Sequence, residues 1–129
     1  MSLGTQPVRA TVAVADIDRA AAFYEGKLGL TPAEGTPDMV RIYSCGEGTQ
    51  LQVYASPENA GRATATVASW SVEDLEGVVG ELSAKGVEFA TYDTPATGED
   101  GIHTFGAHKV AWMLDPDGNN LAIDNGRSY

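Results

Sequence analysis

The sequence holds a single cysteine, Cys45. One thiol excludes an internal disulfide and any zinc site built on cysteines. No apolar run approaches the roughly 18 residues that a membrane-spanning helix needs. The N-terminus has no basic segment leading into an apolar one, so no signal peptide is expected, and a cytoplasmic protein is the default. Basic residues are scarce: 8 Lys and Arg stand against 18 Asp and Glu, a formal net charge of −10. That balance argues against nucleic acid or an anionic membrane as a partner. Histidine is limited to His103 and His108.

What is present is enough apolar material, 43% of 129 residues, for the core of one compact domain. The most informative stretch is Val110–Asp124. Two apolar runs flank Asp115-Pro116-Asp117-Gly118, where Pro116 presets a type I turn and Gly118 can take the left-handed position after it. This hairpin register sets Leu114 opposite Asn120 and Trp112 opposite Ala122. Alternation then gives Ala111, Met113, Leu121 and Ile123 a wholly apolar face, suited to a packed helix. Val110, Trp112, Leu114, Asn120, Ala122 and Asp124 share the other, mixed face.

The rest of the chain reads as the same unit twice. Val8–Val14 alternates as a strand, Asp16 is a helix cap, and Ile17, Ala20, Ala21, Tyr24 and Leu28 recur at helical spacing before Gly29. Strands are expected at Asp38–Cys45 and Thr49–Ala55, joined through Gly46-Glu47-Gly48, with a linker at Ser56–Ala63. A second round follows: strand Val67–Val72, cap Asp74, a helical stripe of Leu75, Val78, Val79 and Leu82, terminator Gly86, and strand Val87–Tyr92. Thr94–Gly106 is expected to be a loop. Val14, Asp16 and Ile17 recur at an offset of 58, Gly29 at 57, and Gly48–Val53 at 70 in Gly118–Ile123. The extra loop explains the growth of the offset, and the shared order of cap, stripe, terminator and hairpin argues for an internal duplication. The expected layout is one domain over residues 7–126, made of modules 7–57 and 63–126.

Carrying the alternation through both halves separates two surfaces. Val8, Ala10, Val12, Val14, Leu51, Val53, Ala68, Trp70, Val72, Leu121 and Ile123 are expected to face the helices. Arg9, Thr11, Ala13, Gln50, Gln52, Tyr54, Val67, Ser69, Ser71, Asn120, Ala122 and Asp124 face the other way, and most are polar. Large aromatics on that polar face, Trp112 and Tyr54, fit a ligand-covered cleft better than a plain solvated sheet.

The run Val14-Ala15-Asp16-Ile17-Asp18-Arg19-Ala20-Ala21-Ala22-Phe23-Tyr24, then Leu28-Gly29-Leu30, then Asp115-Pro116-Asp117-Gly118-Asn119, resembles the vicinal oxygen chelate superfamily. That group includes glyoxalase I, bleomycin-resistance proteins, fosfomycin-resistance enzymes and extradiol dioxygenases. The likeness spans nearly all of residues 8–125 and is specific for a fold, not for an activity. It implies an α+β fold: two βαβββ modules forming a cupped mixed sheet with helices on the convex face, often in a homodimer. In metal-dependent members four cleft positions hold His, Glu or Gln. Here the resemblance places them at Arg9, Gln52, Val67 and Ala122, of which only Gln52 could coordinate a metal. A divalent ion at these positions is therefore not expected, nor any other cofactor.

The expected ligand-binding set is Arg9, Thr11, Gln52, Tyr54, Ser69, Trp112 and Asp124. Arg9 reads either as a partner of Asp124 or as a hold on an anionic ligand group. His103 and His108, five residues apart beside a Gly-rich loop, read as surface hydrogen-bonders or, with Asp124, as acid–base candidates at the cleft mouth. Cys45 has no basic neighbour but Arg41 and is not expected to be reactive. Three functional readings stand: a metal-free small-molecule binder of the bleomycin-resistance type; a lyase, isomerase or dioxygenase relative with an atypical metal site or a metal-free acid–base pair; and a structural partner with a vestigial cleft.

Overall fold

A computed structural model describes residues 2–126. It shows two four-stranded mixed sheets with the same strand order in each. The first half runs β1 (Ala10–Val14), α1 (Ile17–Ala21), β2 (Thr31–Pro32), β3 (Val40–Ser44) and β4 (Gln50–Ala55). The second runs β5 (Thr66–Ser71), α2 (Leu75–Ala84), β6 (Ile102–Phe105), β7 (His108–Leu114) and β8 (Asn120–Asp124). The sheet orders are β1-β4-β3-β2 and β5-β8-β7-β6, with the first and last strands of each half parallel.

The repeat holds at the level of register. Thr11 pairs with Gln52 in the first sheet, and Ser69 with Ala122 in the second, at the offsets read from the sequence. Asp16 Oδ1 accepts from the backbone N–H of Asp18 and Arg19, and Asp74 Oδ1 from that of Gly77, so both aspartates cap their helices. Gly29 and Gly86 lie at φ +75 and +92, as terminators in the left-handed region. The closing hairpin has the expected pairing of Trp112 with Ala122 and Leu114 with Asn120.

The helix-facing parity also holds. Val12, Val14, Leu51, Val53, Ala68, Leu121 and Ile123 are buried with Ile17, Ala20, Phe23 and Tyr24 of the first helical segment and Leu75, Val79 and Leu82 of α2. Val8 is an exception. The strand starts only at Ala10, and Val8 is 88% exposed. The first helical segment also departs from a simple helix: from Ala22 to Lys27 it widens, closing with a bond from Leu28 N–H to the Phe23 carbonyl, five residues back.

Two expectations in the second half need correction. Val87–Tyr92 is not a strand: Phe89 makes only an isolated bridge to Met113, and Ala90 N–H donates to the Trp112 carbonyl. The edge of β7 is shared, because β6 takes His108–Ala111 and leaves only its far end free. The expected loop Thr94–Gly106 therefore contains a strand at its end. Gly106, at φ +59, lets Phe105 turn back within two residues onto His108.

The Asp115–Asn119 turn does more than reverse the chain. It fastens the second half to the first. Tyr24 Oη donates to Asp115 Oδ2 at 2.8 Å, Asn119 Nδ2 donates to the Ala13 carbonyl at 2.8 Å, and Ala15 N–H donates to Asp117 Oδ2. Arg19 forms an ion pair with Asp117. Asp115 and Asn119 are buried, yet their polar atoms are paired. No helix among the described residues is long and apolar enough to cross a membrane.

Candidate functional site

The sheet face opposite the helices gathers the expected site residues by strand alternation, in two groups. On the first sheet, Thr11, Gln52 and Ile42 form one cross-strand row, and Ala13, Tyr54 and Val40 the next. Arg9 lies just before β1 and its Nη1 donates to Gln52 Oε1 at 3.1 Å. On the second sheet, Trp112, Ala122 and Ser69 form one row, and His103, Val110, Asp124 and Ser71 another.

Arg9 thus pairs with Gln52, not with Asp124. Asp124 Oδ1 instead accepts from Ser71 Oγ and from Gly126 N–H, both at 2.8 Å. This is the economical arrangement: Ser71 is the direct cross-strand neighbour of Asp124, whereas Arg9 and Gln52 belong to the other sheet.

The Trp112 end of the face is partly covered. The segment after Ala90 folds across it. Tyr92 meets the indole edge-on, with ring centroids 5.6 Å apart at 77°. His103 stacks on the same indole at 6.2 Å and 29°. His103 Nδ1 lies 2.6 Å from the Ala96 carbonyl. A carbonyl only accepts, so Nδ1 carries the proton and, in the neutral ring, Nε2 presents a lone pair. A cavity of about 270 Å³ opens beside Trp112 and Asn120, with Thr64 and Thr66 on one side and Tyr92, Thr94 and Pro95 on the other.

Of the expected ligand-binding residues, only Trp112 lines this cavity. Arg9, Thr11, Gln52 and Tyr54 stay with the first sheet, and Ala122, on the second, is buried. Sequence alternation missed Thr64, Thr66 and Thr94 for two reasons. A bulge between Thr66 and Ala68 brings Thr66 beside Asn120, and bulges do not show in an alternating pattern. The path of the covering segment depends on contacts made far away in the chain. Asn120, sharing a face with Trp112, was the one available signal. His108 is half-buried on β7, opposite Phe105 at the hairpin end. A second hollow, about 210 Å³, lies on the helix side among Leu28, Trp70, Val78 and Leu82, with Glu81 and Lys85 at its rim.

The four positions to which the resemblance assigns metal ligands, Arg9, Gln52, Val67 and Ala122, do not fit a metal ion. Gln52 Oε1 already accepts from Arg9, a cation with no lone pair to offer, and Val67 and Ala122 have no donor atom. Among the described residues, no three His, Cys, Asp or Glu side chains come together as a metal-binding group.

The comparisons agree with this architecture. The family model described as "Glyoxalase/Bleomycin resistance protein/Dioxygenase superfamily" matches residues 6–123. The glyoxalase/bleomycin resistance protein of Catenulispora acidiphila is similar at 30% identity and TM-score 0.65, covering 92% of this chain and 96% of that one. A glyoxalase/bleomycin resistance protein/dioxygenase of Alicyclobacillus acidocaldarius has 19% identity and TM-score 0.70, with 96% and 93% covered. A lactoylglutathione lyase of Agrobacterium tumefaciens, at 16% identity and TM-score 0.65 with 95% and 94% covered, shares the fold. No curated protein matches. With the family model spanning both sheets and the turn that joins them, the chain belongs to the glyoxalase/bleomycin resistance protein/dioxygenase superfamily.

Proposed function

We propose that this protein binds a small organic molecule on the sheet face opposite its helices, without a metal ion. The observation that carries the reading is Trp112, a half-buried indole beside a cavity of about 270 Å³ whose wall combines rings and hydroxyls. Ligand sites of this kind are concave and mostly apolar, with few polar groups to fix orientation. The donor set at Arg9, Gln52, Val67 and Ala122 supports the metal-free part. A thermal-shift screen of small aromatic compounds tests it. Compounds that stabilise the protein should lose about 1–3 kcal/mol of binding in Trp112→Ala. A screen whose hits bind Trp112→Ala as tightly as the parent overturns the assignment of the cleft.

A second reading is an acid–base enzyme, favoured by His103. Its Nδ1–H is anchored on Ala96, which leaves Nε2 as a proton acceptor on the face that carries Asp124. Turnover of any screened ligand, abolished in His103→Gln with binding retained, would move this reading to first place. We also propose a homodimer, the assembly that the family resemblance implies. Sedimentation at the monomer mass of 13.5 kDa at micromolar concentration counts against it.

A further inference from the structure

We infer that the hollow on the helix side of the second half is a separate site for a small molecule with a single uncharged aromatic ring. Met113 and Ile123 line it, while their chain neighbours Trp112 and Ala122 face the other side of the sheet. The site therefore stands or falls independently of the Trp112 cleft.

The internal duplication shows what fills the matching place in the first half. There Tyr24 and Tyr43 pack between the helical segment and the sheet. Both are fully buried, with ring centroids 6.1 Å apart and planes at 23°. At the offset of 58, Leu82 stands where the first half has Tyr24. At the offset of 70, Met113 stands where it has Tyr43. The register agrees, since Tyr43 pairs with Leu51 and Met113 with Leu121. Both stacked rings are thus missing from the second half, and Leu82 and Met113 wall the hollow. Trp70 replaces Val12 of the first half, but it is only half-buried and lines the gap without closing it.

Size and wall chemistry set the ligand class. The hollow measures about 210 Å³, and an apolar cavity of about 150 Å³ is enough to take benzene. Leu28, Leu30 and Val78 complete an apolar wall. Among the described residues, the charged side chains that border it are Glu81 and Lys85, both exposed at the mouth. Water inside finds few hydrogen-bond partners. An aromatic ring that displaces it gains buried apolar area and dispersion contacts. The Met113 thioether adds a favourable sulfur–ring contact. A small polar substituent can stay at the mouth, in water.

Titration of the full chain with p-cresol, the tyrosine side chain as a free molecule, tests this by NMR. The Met113 methyl and the Trp70 indole N–H should shift along one saturable curve, and the Met39 methyl should stay in place. myo-Inositol, a ring of similar size covered in hydroxyls, should move neither reporter. Leu82→Phe with Met113→Phe restores two rings to the hollow. Read at Trp70, it should weaken p-cresol at least about tenfold. Val78→Phe, which fills the hollow from α2, serves as the second variant if the double one does not fold. The inference is overturned if neither reporter shows a saturable shift up to the solubility limit of p-cresol. It is also overturned if the shifts are confined to the Trp112 indole, which would put the probe in the cleft alone, or if a folded, filled variant binds as the parent does. Equal binding of myo-inositol overturns the apolar class. Weaker p-cresol binding at tenfold higher protein concentration, matched by association in sedimentation, would make a second copy of the chain the occupant and overturn the small-molecule assignment.

Discussion

Tyr24 and Asp115 are 91 positions apart, yet Tyr24 Oη donates to Asp115 Oδ2 at 2.8 Å, with the tyrosine fully buried and the aspartate 5% exposed. The bond joins the first helical segment to the turn between β7 and β8, so it ties one half of the molecule to the other. Asp115 also accepts from the N–H groups of Asp117 and Asn119 and from Asn119 Nδ2. Tyr24→Phe removes one donor to this carboxylate and should cost about 1.5–3 kcal/mol in urea unfolding. Asp115→Ala strands all of its donors at once and should cost more, about 3 kcal/mol or above. Equal stability of Tyr24→Phe and the parent would show that the bond contributes nothing net.

The same hydroxyl predicts an alkaline limit. Burial, and then the Asp115 carboxylate, push the Tyr24 pKa far above its ordinary 10.0. Burial, and then the hydrogen bond to Glu25, do the same to Tyr43. In the unfolded chain both protons leave near pH 10, while the folded protein still holds them. Below pH 10 their contribution is therefore fully present. Above it the unfolded state binds fewer protons, so stability falls as pH rises toward the raised folded values. Urea midpoints measured from about pH 9 to pH 12 should decline, with a shallower slope in Tyr24→Phe. Tyrosinate absorbance should show these two side chains ionising together with unfolding.

Two glycines should respond to alanine in opposite directions. Gly61 sits at φ +67, and a Cβ there would lie 1.9 Å from the Asp117 carbonyl oxygen, inside the turn that joins the halves. Backbone, not a flexible side chain, blocks it, and Gly61 N–H also donates to Asn119 Oδ1. Gly61→Ala should destabilise by about 2 kcal/mol or more. Gly80 lies within α2, exposed, and a methyl group added there would meet nothing within 4 Å. Gly80→Ala should stabilise by about 0.5–1 kcal/mol through helix propensity. Thermal unfolding of the two variants separates steric from propensity effects.

Local chemistry made most of the fold legible. The caps at Asp16 and Asp74, the terminators Gly29 and Gly86, and the register across Gly118 are set by residues close in sequence, and each appears as expected. What could not be read depended on distant partners. The strand at Ile102–Phe105 exists because β7 offers it an edge, and Phe89 loses that edge for the same reason. The turn Asp115–Asn119 was visible as a turn, but not as a clasp, because Tyr24 and Ala13 lie about a hundred residues away. The site followed the same division. Alternation put Trp112 and Asn120 on one face, while Tyr92 and Thr94 arrive there only through the folded path of the segment after Ala90.

The metal positions give the last prediction. Protein dialysed against chelator and titrated with zinc, nickel or manganese should take up less than one ion per chain and keep its unfolding temperature. The reason is the donor count at Arg9, Gln52, Val67 and Ala122, where Gln52 alone has a donor atom and Arg9 engages it at 3.1 Å. Restoring donors on the first sheet alone, with Arg9→His and Gln52→Glu together, should still fail to create a tight site. Two ligands fall short of the three or more that divalent ions need in such sites, and Val67 and Ala122 add none. Tight, stoichiometric metal in the unmodified protein that disappears in Gln52→Ala would overturn the metal-free reading and bring metal-assisted catalysis forward.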